Sequence, residues 1–197
     1  MKKTRTVRTS SFLFFIMIGE ILPQIALLLV VLANNNFVNI LWYLISIAFC
    51  VYSFQFGISR KIISLSSADL LIGILLGLFL LGIEWLLSSH LPGSNVATGP
   101  RLKLSLFSIC VSGPLWEEFI FRYYLNLKTF KGSFSGMIIS SLIFSVIHGY
   151  VGLLLLALFF LFGIIFSVVD FYRKNVFVSS IAHIVLNTII LLLNFSG

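Results

Sequence analysis

The sequence predicts an all-α fold, a polytopic membrane helix bundle of about seven transmembrane helices, built as a single membrane-embedded domain over residues 1–197. Hydrophobic residues fill 59% of the 197 positions and charged residues only 10%, where a soluble domain carries about 25% charged. The mean hydropathy is +1.13, so there is too little polar surface to cover a water-facing globule. The apolar residues also gather into stretches of about 20, the length of helix that crosses a hydrocarbon core.

The candidate spans are 12–33, 37–57, 68–88, 104–127, 134–149, 151–170 and 177–194. The first follows a basic N-terminus (Lys2, Lys3, Arg5, Arg8). It runs longer than a secretory signal core, contains Glu20 and Pro23, and has no clear small-residue cleavage site after it. It therefore reads as an uncleaved span. The third is followed by the longest polar stretch, Ser88–Arg101, whose Gly and Pro residues signal a loop. The fifth is short and separated from the sixth by Gly149 and Tyr150 alone, which predicts a tight hairpin.

Basic residues set the expected orientation. Lys2, Lys3, Arg5, Arg8, Arg60, Lys61, Lys128, Lys131, Arg173 and Lys174 all fall on one side if the N-terminus is cytoplasmic; only Arg101 and Lys103 fall opposite. The 13 basic residues against 6 acidic ones do not point to nucleic acid, because they are spread between apolar segments rather than along one face. Cys50 and Cys110 stand far apart with no metal-binding spacing and read as free thiols.

Ionisable side chains inside hydrocarbon are costly and usually mark function. The first such group is Glu117-Glu118-Phe-Ile-Phe-Arg122. Helical residues four apart share a face, so Glu118 and Arg122 can pair. Glu117 is turned about 100° away, into a different environment. A carboxylate left unpaired at low dielectric becomes a base able to work near neutral pH. A purely structural Glu118–Arg122 pair joining helices is an equal reading of those two residues. The second group is Phe144-Ser-Val-Ile-His148, and the third is His183-Ile-Val-Leu-Asn187, each one turn apart. His183 and Asn187 can direct two donors at one point, as an oxyanion requires, although polar links between helices use the same residue types. Glu117, His148 and His183 could also ligate Zn²⁺ with a position left for water, while the helical HExxH signature is absent. Glu20 and Glu84 are the other acidic residues singled out, and an interhelical or interfacial role suits both.

These three groups, in order and type, resemble the motifs of the CPBP (Abi) family, which contains the type II CAAX prenyl endopeptidases and bacterial proteins linked to bacteriocin processing and self-immunity. The resemblance covers roughly residues 100–194 and implies an all-helical bundle whose polar residues meet in an intramembrane cavity. It implies a protease, labelled metallo- in some accounts and metal-free and glutamate-dependent in others. Carried onto this chain, Glu117 is the base that activates water, His148 orients that water, His183 and Asn187 form the oxyanion hole, and Glu118 with Arg122 supports the site. No cofactor is required by the residues themselves, with zinc the one candidate. The implied partners are a peptide or membrane-protein substrate and the lipid bilayer, in a multi-pass protein of the bacterial cell membrane. Two other classes fit the same residues: a non-catalytic immunity protein that binds a bacteriocin or its receptor, and a proton-coupled small-molecule transporter subunit. Counting about 1.5 Å per residue puts Glu117 and His183 near mid-depth but His148 nearer the outer end of its span.

Overall fold

The computed structural model describes residues 36–59, 61–87, 106–148 and 152–196. The expected first span at 12–33 with Glu20, the loop Ser88–Arg101 with His90, and Arg60, Lys103, Gly149 and Tyr150 lie outside the described residues. Six helical elements follow in order. They are α1 (Asn36–Ser59), α2 (Ser67–Leu87), α3 (108–129), α4 (Phe134–Ile147), α5 (Leu153–Arg173) and α6 (Val176–Ser196). There is no strand among the described residues. Three helical stretches are long and apolar enough there to cross a membrane, Ser67–Leu87, Leu153–Arg173 and Val176–Leu193. Of the other four expected spans, 12–33 lies outside the described residues, the apolar parts of α1 and α4 are shorter (Tyr43–Ser59 and Phe134–Ile147), and the fourth span of the sequence carries Glu117, Glu118, Arg122 and Lys128.

The α3 helix is not the plain α-helix that its sequence suggests. Its π-helical stretches Ser108–Ser112 and Phe119–Thr129 flank an α-helical Gly113–Glu118. Pro114 lies in the first turn of the α-helical part. It has no N–H to offer and its ring crowds the carbonyl one turn back, so the change of winding at Gly113 falls where regular α bonding fails. π-helical turns inside a helix gather at functional sites, and both glutamates close the short α segment.

Burial runs inside out relative to a soluble protein. Leu71, Phe79 and Leu86 of α2 face outward, with Phe37, Leu44 and Val51 of α1, while Ser46, Ser53, Asp69, Gly73 and Gly77 face inward. Without a hydrophobic force between helices in lipid, small residues that allow close approach take its place. Gly73 and Gly77, one turn apart on α2, do this against α6. A Cβ on Gly77 would stand 2.6 Å from the Ala182 carbonyl oxygen, and one on Gly73 2.9 Å from that of Val178. Gly163 of α5 seats in the same way against Ser141 of α4. Larger side chains fill what remains: Leu80, Leu158, Phe162, Phe166, Ala182 and Leu186 join α2, α5 and α6, and Trp116, Ile120, Phe121, Leu125 and Phe144 join α3 to α4.

A polar clamp closes one end of the bundle. Asn175, in the turn between α5 and α6, donates to Asp69 Oδ2 at 2.9 Å and to the Ser64 carbonyl at 2.9 Å, and accepts from the Ser64 N–H at 3.1 Å. Arg173 adds its Nε to Asp69 Oδ1 at 2.7 Å. Lys174 ends α5 in the left-handed region at φ 52°. A positive helix-end residue of this kind satisfies orphan carbonyls and suits the negative end of the helix dipole. The clamp sets the start of α6, and with it the heights of Ser179, His183 and Asn187.

Gly77→Leu should force α6 away from α2. We expect a loss of about 1–3 kcal/mol, the usual cost of overpacking, read as a lower unfolding temperature in detergent micelles. An unchanged transition would mean that the close approach contributes nothing to stability.

Candidate active site

Glu118 and Arg122 are both fully buried, 0% exposed. Their pairing is the i, i+4 contact that the sequence predicts: Arg122 Nε stands 2.9 Å from Glu118 Oε2, and Arg122 Nη2 donates to Oε1 at 3.4 Å. The Nε approach is close but off-line, so Oε2 and Nε make a charge contact rather than a hydrogen bond. Aromatic rings complete the cage around the guanidinium, with Phe144 at 4.6 Å and Phe166 at 5.5 Å from its centre. Such faces attract a desolvated cation. Glu118 Oε1 also accepts from His183 Nδ1 at 3.1 Å.

Glu117, the adjacent residue, occupies a different place. Its side chain is 21% exposed, and its Oε2 lies 3.6 Å from His148 Nε2 and 3.7 Å from His183 Nε2. That oxygen is buried and accepts no hydrogen bond among the described residues. The two carboxylates are thus separated as expected, but Glu117 is not alone, since both imidazoles converge on it. The depth difference counted along the sequence does not keep His148 from meeting Glu117.

The ring protons follow from what each nitrogen faces. His148 Nδ1 stands 2.7 Å from the Phe144 carbonyl oxygen, an acceptor only, so Nδ1 carries the hydrogen and neutral His148 presents a bare Nε2 to Glu117. His183 gives its Nδ1 hydrogen to Glu118, so its Nε2 donates only when the ring carries a second proton. Rings hold both imidazoles in place: His148 stacks on Phe159 at 4.7 Å and lies 4.4 Å from Phe144. His183 stacks on Phe166 at 5.4 Å.

Asn187 sits at the edge of this group. Its Nδ2 donates to the Ile109 carbonyl at 3.1 Å, which ties α6 to the first turn of α3 and leaves its second N–H for another acceptor. Among the described residues, no group of three or more His, Cys, Asp and Glu side chains is arranged to hold a metal ion. Glu117, His148 and His183 are neighbours, but as placed they do not close a zinc site.

Residues 100–189 match the family model described as type II CAAX prenyl endopeptidase Rce1-like. This stretch, a little under half of the chain, is similar to the Rce1-like family. No curated protein and no solved structure matches the chain. The Rce1-like family is a protease family, and the similarity supports a membrane protease at that coarse level. All six singled-out residues fall inside the matched stretch.

The Rce1-like region also holds polar residues that sequence reasoning passed over. Asp170 and Ser179 are fully buried and bonded to each other across the α5–α6 turn. Asn126, one turn beyond Arg122, is fully buried with no side-chain hydrogen bond among the described residues. The signal available for Asp170 was the one that revealed Glu117, a carboxylate in an apolar stretch. Its position beside Arg173 and Lys174 made it resemble the end of a span.

Arg122→Met should leave Glu118 buried without its counter-charge. Removing one partner of such a pair costs about 3–5 kcal/mol, so the variant should lose most of its folded fraction in micelles. A melting profile like that of the wild type would show that Glu118 finds another partner.

Proposed function

We propose that the chain is an intramembrane endopeptidase that hydrolyses a peptide bond with a water activated by Glu117, without a covalent intermediate. The observation that carries this reading is the convergence of Glu117 Oε2 with both Nε2 atoms, at 3.6 and 3.7 Å, inside an Rce1-like stretch. Water between these groups donates to Glu117 and to the bare Nε2 of His148, which leaves an oxygen lone pair aimed at a substrate carbonyl. Attack forms the C–O bond while the water proton passes to Glu117. The tetrahedral oxyanion is held by Nε2–H of a doubly protonated His183 and by the second N–H of Asn187, donors of the kind that stabilise charge as it develops. Glu117 then returns the proton to the leaving nitrogen as the C–N bond breaks. Glu118 accepts the Nδ1 hydrogen of His183, and Arg122 is the counter-charge of Glu118.

The substrate in this reading is a peptide or membrane-protein segment that reaches the site from the bilayer or the cytoplasmic side. The role is bacteriocin self-immunity or peptide and protein maturation in a bacterial membrane. About seven spans with a cytoplasmic N-terminus suit the placement of basic residues. The loop at 61–66 is bonded to the α5–α6 turn through the Ile62 carbonyl and Ser64. Lys61, Arg173 and Lys174 therefore share one end of the bundle.

Glu117→Gln keeps the shape and removes the base. Cleavage of a peptide panel by the purified protein should fall by about 10²–10⁴-fold with folding unchanged. The same assay with a strong chelator separates two chemistries: activity that survives supports water activation by glutamate alone, and activity that is lost points to a metal-bound water. Equal cleavage by variant and wild type would overturn the role of Glu117.

A further inference from the structure

A buried carboxylate that this reaction scheme leaves unused stands directly behind the site. Asp170, in the last turn of α5, is 0% exposed. Its Oδ2 accepts from Ser179 Oγ at 2.5 Å and its Oδ1 from the Ser179 backbone N–H at 3.2 Å. Ser179 lies in the first turn of α6, one turn before His183, on the same helical face. Asp170 also lies within electrostatic reach of both Glu118 and Arg122, and the Ser179 hydroxyl lies beside Glu118. A hydroxyl has a single proton. Asp170 at 2.5 Å is a nearer acceptor than the Val176 carbonyl at 3.1 Å, so the bond to Asp170 prevails.

This two-point grip does more than end a turn. A backbone N–H alone would anchor the height of α6, while the hydroxyl bond adds a restraint on its rotation about its own axis. Rotation is what decides whether the His183 ring meets Glu118 with Nδ1 and Glu117 with Nε2. Other restraints on α6 are the Asn175 clamp at its start, the seating of Ile181 and Val185 on the α2 glycines and the Asn187 bond to the Ile109 carbonyl. The Asp170 grip, in contrast, acts one turn before His183 on the face that carries the ring. We propose that Asp170, through its grip on Ser179, is a positioning residue of the site and sets the orientation of His183 between Glu118 and Glu117. The effect on catalysis rests on the endopeptidase reading; the effect on the ring does not.

The test uses the full chain in micelles, with histidine labelled with ¹⁵N and the His183 signals assigned by comparison with His183→Gln. Ser179→Ala should move the His183 Nδ1–H resonance and lower kcat about tenfold with KM little changed, the effect of a lost buried hydrogen bond felt in the transition state. Ser179→Thr, which keeps the hydroxyl, should restore both. A drop in unfolding temperature with the resonance and kcat unmoved would reduce the pair to a helix cap and overturn the proposal. Should Ser179→Ala fail to fold, Asp170→Asn, which retains an acceptor for the Ser179 N–H, is read in the same way. If the wild type cleaves no peptide, the endopeptidase reading fails, while the resonance still decides the positioning role: a shift supports it and an unmoved signal sinks it.

Discussion

A guanidinium and a carboxylate with no exposure to solvent have to satisfy one another, and the Glu118–Arg122 contact does so at the centre of this bundle. Its net worth to stability is small, because desolvating two ions offsets most of their attraction. Its worth to structure lies in what it obliges the neighbours to do. Arg122 must be walled by the Phe144 and Phe166 rings, which come from α4 and α5. Glu118 must find a further donor, and His183 of α6 supplies it. One ion pair on α3 thereby fixes the mutual placement of four helices.

The same pair explains why two adjacent glutamates can differ in role. Both lie at the end of the short α-helical segment of α3, and the turn of about 100° between them sends one into a closed, charge-matched site and the other to a partly open one. Glu118 is committed on both oxygens. Glu117 is left with an uncommitted oxygen between two imidazoles whose other nitrogens are already engaged. Outer partners that fix a ring's tautomer and direction are a general device for aiming its second nitrogen, and here a backbone carbonyl serves His148 and a buried carboxylate serves His183.

Packing in the rest of the molecule is arranged for lipid. Glycines, serines and buried carboxylates occupy the contacts between helices, and Leu, Ile and Phe face outward. Close backbone approach at Gly73 and Gly77 holds α6 against α2, and the Asn175 clamp holds its start. Both devices serve the helix that carries His183, which faces both α3 glutamates, and Asn187, which bonds the Ile109 carbonyl.

The sequence by itself determined the helical membrane character, because continuous apolar runs of about 20 residues fit helices rather than the short alternating strands of a barrel, the other structure that satisfies backbone groups in hydrocarbon. It also determined the Glu118–Arg122 pair and the membership of Glu117, His148 and His183 in one set, since ionisable residues in apolar stretches are few enough to stand out. Tertiary structure alone decided the π-helical winding of α3, which depends on competition among backbone bonds that residue types do not reveal. It decided that Asn187 bonds Ile109, and that Asp170 and Ser179 lie behind Glu118. Spacing along a helix fixes which residues share a face, but the rotation, height and crossing angle of one helix against another come from packing between residues far apart in the chain. For that reason the residues of the candidate site were legible in sequence, and the distances between them were not.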